Sequence, residues 1–236
     1  HQRQAIELGL AQRNFVVTSG TGSGKSLTYI GSIFNHLLHA GPESQPGVVA
    51  VVVYPLNALV NSQENELAGY AQNYTAANGG KPFPIRFAKF TGQEGKAERD
   101  ALVQEPPHIL LTNYKMLDHM LLHPGRAEMW RLSAESLQYL VLDEFHTYDG
   151  AQGTDVAMLL RRLGASLRIA VPDAPLGAAA PVATSATLGS DPAALVELRD
   201  FAGKVFGVDF DEDSVIGETR QSIDEACLPV DATLPT

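Results

Sequence analysis

Eight residues, Ser19-Gly20-Thr21-Gly22-Ser23-Gly24-Lys25-Ser26, restrict the fold of this chain more than any other stretch. They follow a short apolar run over residues 14–18 with the pattern of a buried strand. They lead directly into a helical stripe of Ile30, Ile33, Phe34, Leu37 and Leu38. Strand, glycine loop and helix in that order bring successive backbone N–H groups and a positive helix terminus to one point, and glycine lets an anion approach the backbone closely. A phosphate is the ligand such a loop suits. Thr21, Gly22, Ser23 and Gly24 would cradle it, Lys25 would reach β and γ phosphates, and the Ser26 hydroxyl would be offered to Mg²⁺. A dinucleotide fingerprint is excluded, because Lys25 occupies the place of its third glycine.

Beyond this loop the apolar pattern keeps switching between short runs and helical stripes, which predicts an α/β protein with a parallel sheet. Residues 14–18, 48–54, 85–90, 108–112, 137–142 and 181–184 are the strand candidates, apolar without clean alternation, as strands covered on both faces are. Stripes through Val156, Leu159, Leu160 and Leu163, and through Leu56, Leu59, Val60 and Leu67, read as helices with a core face. Asp191-Pro192 caps and opens another, running through Leu198 and Phe201. Arg161 and Arg162 read as a solvated helix face. With 44% apolar residues in 236, the chain can bury one large core or two small ones.

Charge is unevenly spread. Residues 191–236 hold 11 acidic and 3 basic side chains, so most of the net charge of −10 belongs to the tail and residues 1–190 carry only −2. A near-neutral body can still hold a groove for nucleic acid. The acidic segment after Gly207 reads as a boundary, which divides the chain into a folded unit over 1–207 and a linker over 208–236. The lone Cys227 can form neither an intrachain disulfide nor a cysteine zinc site, which points to a reducing compartment, the cytoplasm. No apolar stretch is long enough to span a bilayer, so no membrane role is expected. The absence of an initiator methionine suggests a piece of a longer protein.

The second chemical feature is the apolar run 137–142 ending in Asp143-Glu144-Phe145-His146. Adjacent carboxylates at the carboxyl end of a buried strand sit where α/β proteins place their sites. With a phosphate loop upstream, Asp143 would hold Mg²⁺, partly through water, and Glu144 would orient and deprotonate a water attacking the γ-phosphate. Lys25, Asp143 and Glu144 are therefore the candidate catalytic set.

Taken together, these motifs resemble the first RecA-like domain of a superfamily 2 DExH-box helicase of the DEAD/DEAH class, over about residues 1–207. Their order is that of the family, and His146-Thr147-Tyr148 followed by Gly150, Gly153, Val156, Ala157 and Leu160-Arg161-Arg162-Leu163 resembles most closely its MrfA-like branch. The resemblance implies a RecA-like P-loop domain with a mostly parallel central sheet and helices on both faces. It implies that Gln2 reads the adenine edge of ATP, and that Pro55, Asn57, Thr91, Gly92, Thr112 and Asn113 touch the backbone of DNA or RNA. His146, with Ser185 and Thr187 of the Thr184-Ser185-Ala186-Thr187 motif, would couple nucleotide state to strand engagement. The strand before Thr184 is expected to lie between the P-loop strand and the Asp143 strand. A second RecA-like domain would complete the ATP site with arginines, since no counterpart of its motifs follows Gly207. Two alternatives stand beside this reading: the motor of an ATP-dependent DNA translocase in a restriction or phage-defence system, which shares these motifs, and a non-hydrolysing nucleotide-dependent interaction module, against which intact Lys25, Asp143 and Glu144 argue.

Overall fold

A computed structural model describes residues 1–20, 22–186 and 192–217. Its strands are β1 (Phe15–Thr18), β2 (Ala50–Tyr54), β3 (Phe87–Phe90), β4 (Ile109–Asn113), β5 (Tyr139–Leu142), β6 (Ala180–Ser185) and β7 (Val215–Gly217). They form one sheet in the order β3-β4-β2-β5-β6-β1-β7, and every pairing is parallel. The expected position of β6 between β1 and β5 is the one observed.

Helices α1 (Gln2–Leu10), α2 (Lys25–Ala40) and α3 (Asn57–Ala77) cover one face of the sheet. Helices α4 (Lys96–Gln104), α5 (Tyr114–Leu122), α6 (Ala127–Ser133), α7 (Gly150–Leu167) and α8 (Pro192–Phe206) cover the other. Each strand feeds both cores by alternation. In β2, Val51 and Val53 pack beneath α5–α8, whereas Ala50, Val52 and Tyr54 pack beneath α1–α3. That is why the strand runs carry no polar alternation in the sequence.

Several strands start later than their apolar runs. Val48 and Val49 are buried but lie outside β2, where the Val48 N–H donates to Ser133 Oγ and the Val49 N–H donates to the His108 carbonyl. Two stripe residues are not core. Leu38 is exposed on α2, and Leu56, 63% exposed, precedes α3 as its N-cap. Arg161 is not a solvated residue either. Its guanidinium donates to the carbonyls of Ala157, Val205 and Lys204 and so ties α7 to the end of α8, while Arg162 pairs with Asp118 at 2.7 Å. Asp191, expected to cap α8, lies outside the described residues, and Pro192 opens the helix.

The folded unit does not stop at Gly207. Val215–Gly217 adds β7 to the sheet, with Val16 opposite Val215 and Thr18 opposite Gly217. The acidic residues just before it have a local role, since Arg13 pairs with Asp211 at 2.7 Å and with Asp213 at 2.8 Å.

His108 joins the lower ends of three strands. Its N–H donates to the Arg86 carbonyl, its own carbonyl accepts from Val49 and Ala50, and its ring Nδ1 accepts from the Arg86 N–H at 3.0 Å. The ring is 0% exposed, and burial, followed by the nearby Arg86 charge, holds its pKa at about 4 against the raising effects of the Pro42 backbone and Glu105. Protonation at Nδ1 would set two N–H groups against each other. Between the ordinary value of 6.5 and about 4, the unfolded chain binds a proton here that the folded chain excludes, so stability falls as pH drops through that window. His108→Asn keeps an acceptor for Arg86 and removes the titration. The fall in urea midpoint between pH 6.5 and 4 is expected to be shallower in this variant than in the wild type, and equal slopes would exclude His108 as the responsible group.

Candidate functional site

The carboxyl ends of the strands carry two neighbouring depressions. The first, about 330 Å³, is bounded by Gly22, Gly24, Lys25 and Ser26 from the loop after β1 and by Asp143 and Glu144 after β5. Gly22 and Gly24 have φ of 76° and 75°, the left-handed region that an L side chain adopts only with strain, so the glycines are required by the turn itself. Gly24 is the N-cap of α2, and Lys25 is its first residue. Lys25 Nζ donates across the loop to the Ser19 carbonyl at 3.0 Å, and Ser19 Oγ lies 2.6 Å from Ser23 Oγ. Gln2 closes the loop from outside, its Nε2 donating to the carbonyls of Ser23 at 3.2 Å and Gly24 at 3.3 Å. Thr21 lies outside the described residues.

Asp143 follows β5 and is 8% exposed. Its Oδ1 accepts from the Thr184 hydroxyl, a partner supplied by β6. Burial, with Glu144 adding to it, pushes the Asp143 pKa up to about 6 against the opposing effects of Thr184 and Lys25. Glu144 has φ of 49°, unusual for a residue with a side chain, and its carbonyl accepts from the N–H and hydroxyl of Thr147, both at 2.8 Å. A tight turn over Phe145–Thr147 results. It sets His146 Nδ1 to accept from the Ala186 N–H at 3.2 Å, with Ser185 Oγ at 3.5 Å and Glu144 Oε2 at 3.5 Å. His146 and Ser185 thus come together, and Thr187 lies outside the described residues.

The second depression, about 630 Å³, is bounded by Pro55, Leu56 and Asn57 after β2, by Asn113 and Lys115 after β4, and by Thr147 and Gln152 after β5. Of the residues expected to touch nucleic acid, Pro55, Asn57 and Asn113 meet here. Asn113 Nδ2 donates to Asn57 Oδ1 at 2.6 Å while Asn113 Oδ1 accepts from the Met116 N–H at 2.8 Å, so one amide caps α5 and fastens it to α3. Gly92 is exposed beside α5, where a Cβ would clash with Met116 Cε. Thr112 and Thr91 are corrections. Thr112 is 0% exposed and its hydroxyl donates to the Phe90 carbonyl at 2.6 Å, which commits it to joining β4 to β3. Thr91 is buried, with its hydroxyl on Glu94 Oε1 at 2.7 Å.

Glu94 was not singled out from the sequence. Its carboxylate also accepts the N–H groups of Thr91 at 2.9 Å and Gly92 at 2.8 Å, and although burial opposes ionisation, these hydrogen bonds hold its pKa below the ordinary range. A Glu three residues after a Thr was the available signal, since its carboxylate can reach back to the N–H groups at the start of such a turn. Tyr54, Gln63 and Glu66 also line the first depression unforeseen. Polar Gln63 and Glu66 lie on a helix read for its apolar stripe, and that interruption was the available clue. Among the described residues no helix is long and apolar enough to cross a membrane.

Asn113→Ala removes both the cap and the tie to Asn57. A loss of about 1 to 2 kcal/mol is expected in urea unfolding, and Asn113→Ser, which can cap but not reach Asn57, should fall between variant and wild type.

The sequence profile of the DEAD/DEAH box helicase family matches residues 1–195. The ATP-dependent helicase Lhr-Core of Methanothermobacter thermautotrophicus is 34% identical over 167 residues, which cover 69% of this chain and 19% of that protein. The Druantia protein DruE of Escherichia coli is 27% identical over an aligned span of 294 positions that covers 80% of this chain and 16% of that protein. The chain therefore spans under a fifth of the length of these relatives. Among solved structures, the helicase MrfA bound to DNA and AMPPNP matches with a TM-score of 0.71 at 24% identity, covering 92% of this chain and 26% of that one. The helicase Lhr of Mycobacterium smegmatis bound to ssDNA and AMP-PNP gives 0.67 at 22% identity, covering 92% and 25%. These structures share the RecA-like fold expected from the sequence. With a profile match over residues 1–195, this chain belongs to the DEAD/DEAH box helicase family.

Proposed function

We propose that this domain is the first of two RecA-like motor domains of an ATP-hydrolysing, nucleic-acid-dependent helicase. The observation that carries the reading is the convergence of Lys25, Ser26, Asp143 and Glu144 on one cavity. Lys25 neutralises charge on the β and γ phosphates, and Glu144 orients the attacking water and takes its proton. The donor set suits Mg²⁺, because a hydroxyl on Ser26 and a buried carboxylate on Asp143 are hard oxygen ligands in a cavity where, among the described residues, Lys25 is the only cationic side chain. Mg²⁺ supplies charge neutralisation between the phosphates when bound. Gln2, with its nitrogen committed to the loop, keeps its Oε1 for the amino group of adenine.

A strand of DNA or RNA occupies the second depression, on Pro55, Asn57, Asn113 and Lys115, with Gly92 at its margin. The turn over Phe145–Thr147 borders both depressions, Glu144 on one and Thr147 on the other, and with His146 on Ser185 and Ala186 it supports the coupling reading. The second RecA-like domain, reached through the acidic carboxyl-terminal segment, supplies the missing arginines. A cytoplasmic location belongs to the same proposal and rests on the single cysteine.

Two variants test the assignment in the full-length protein. Lys25→Ala is expected to weaken binding of a non-hydrolysable ATP analogue in calorimetry, while Glu144→Gln binds it normally and loses turnover by about 10²-fold or more. Wild-type binding by both, or wild-type turnover by Glu144→Gln, would overturn the roles. Residues 1–236 alone are expected to hydrolyse ATP barely in a phosphate-release assay, because an arginine from a second domain is worth about 10³ to 10⁵ in rate. Robust nucleic-acid-stimulated turnover by this chain alone would show that the site is not shared.

A further inference from the structure

Helix α3 carries a polar trio that its apolar stripe does not explain. Gln63 is 6% exposed, its Nε2 donates to Glu66 Oε2 at 2.9 Å, and the Tyr70 hydroxyl donates to Glu66 Oε1 at 2.8 Å. The spacings of three and four residues place all three on one side of the helix. Gln63 and Glu66 line the same cavity as Lys25, Ser26, Asp143 and Glu144.

The orientation of the Gln63 amide follows from its partner. A carboxylate only accepts hydrogen bonds, so the NH₂ end must turn to Glu66, and Oε1 is left as an acceptor. The hydrogen bonds of Gln63 among the described residues use only its nitrogen. Tyr70 in turn occupies the other oxygen of Glu66, which keeps that carboxylate fixed as the anchor.

An uncharged acceptor in a phosphate cavity has a narrow use. It cannot bind an unprotonated phosphate oxygen, and it adds no negative charge beside Asp143 and Glu144. Water, with two protons to place, is the ligand that fits. A water attacking phosphorus must aim a lone pair along the line of attack, so both of its protons must be held away from that line. We propose that Gln63 is a water-positioning residue for ATP hydrolysis, with Glu66 fixing the orientation of its amide. This inference rests on the ATPase reading above. In the step, the water oxygen bonds to the γ-phosphorus as the bond to the bridging β–γ oxygen breaks, and ADP leaves with that electron pair. One water proton passes to Glu144, and the other stays on the oxygen, held by Gln63 Oε1 until phosphate departs.

Gln63→Leu removes the acceptor at similar volume, and Glu66→Gln removes the anchor that dictates the amide's direction. In the full-length protein, Gln63→Leu is expected to lower kcat about 10- to 100-fold with the KM for ATP little changed. Affinity for ADP with aluminium fluoride, which mimics the attacked phosphorus, should fall by a similar factor, while affinity for ADP with beryllium fluoride, a ground-state mimic, stays within twofold. Glu66→Gln should give a smaller loss of the same kind. Turnover by Gln63→Leu within twofold of wild type overturns the proposal, and so does equal weakening of both fluoride complexes, which marks a merely structural role. If Gln63→Leu does not fold, Gln63→Met carries the same measurements with the same expected outcomes. The ATPase reading itself fails separately, if Glu144→Gln retains turnover; loss of turnover there with none in Gln63→Leu removes only the water-positioning role.

Discussion

Strand β6 is hydrogen-bonded to β1 on one side and to β5 on the other, and its last residues hold the ends of both neighbours. The Thr184 hydroxyl donates to Asp143, the Ser185 carbonyl accepts from the Ser19 N–H at 3.3 Å, and the Ala186 carbonyl accepts from the Thr18 hydroxyl at 3.2 Å while its N–H reaches His146. The phosphate loop and the carboxylate turn never touch through adjacent strands. Their separation is the width of this inserted strand, which leaves a cavity between Lys25 and Glu144. Sequence supplies the two halves of the site far apart in the chain, and parallel pairing around β6 sets their distance.

The cavity so formed carries more negative than positive charge. Lys25 faces Asp143, Glu144 and Glu66, and the Asp143 carboxyl is raised because burial and Glu144 both disfavour its ionised form. Left alone, that arrangement repels a polyphosphate. It becomes attractive only to an anion that arrives with cations of its own, which is the charge balance that the metal-bound nucleotide proposed above would bring. Glu66 differs from the other two, because its oxygens are already engaged by Gln63 and Tyr70.

The phosphate loop and the carboxylate pair were legible because each packs its chemistry into consecutive residues, where spacing in sequence is spacing in space. The order of β1, β6 and β5 followed from the family resemblance. Residues on α3 escaped notice because a helix presents a residue to the cavity only every three or four positions, and Gln63 and Glu66 belong to a helix whose apolar residues dominate the pattern. Thr91 and Thr112 were misread for a related reason. A threonine at a strand end looks the same in sequence whether it faces a groove or donates to a buried acceptor, and here Thr112 donates to the Phe90 carbonyl and Thr91 to the Glu94 carboxylate. Strand β7 was missed because it is only Val215–Gly217 in a run of acids, and pairing with β1 together with the Arg13 contacts, not local propensity, makes it a strand.

The pairing of β1 has a consequence for the order in which the molecule can be built. Both of its neighbours come from the far end of the chain: Phe15 aligns with Val182 and Val16 with Val215. During synthesis, the apolar segment Phe15–Thr18 emerges early with both edges bare, and it stays so until β6 and then β7 have left the ribosome. Helices α1 and α2 can shield its face in that interval, but they cannot supply backbone partners. The Ser19 N–H, at the start of the phosphate loop, finds its carbonyl only once Ser185 has been made. A nascent chain therefore carries the loop's whole sequence long before it carries the loop's shape, and a ligand that binds only the formed loop can assist only the final closure of the sheet, not its beginning.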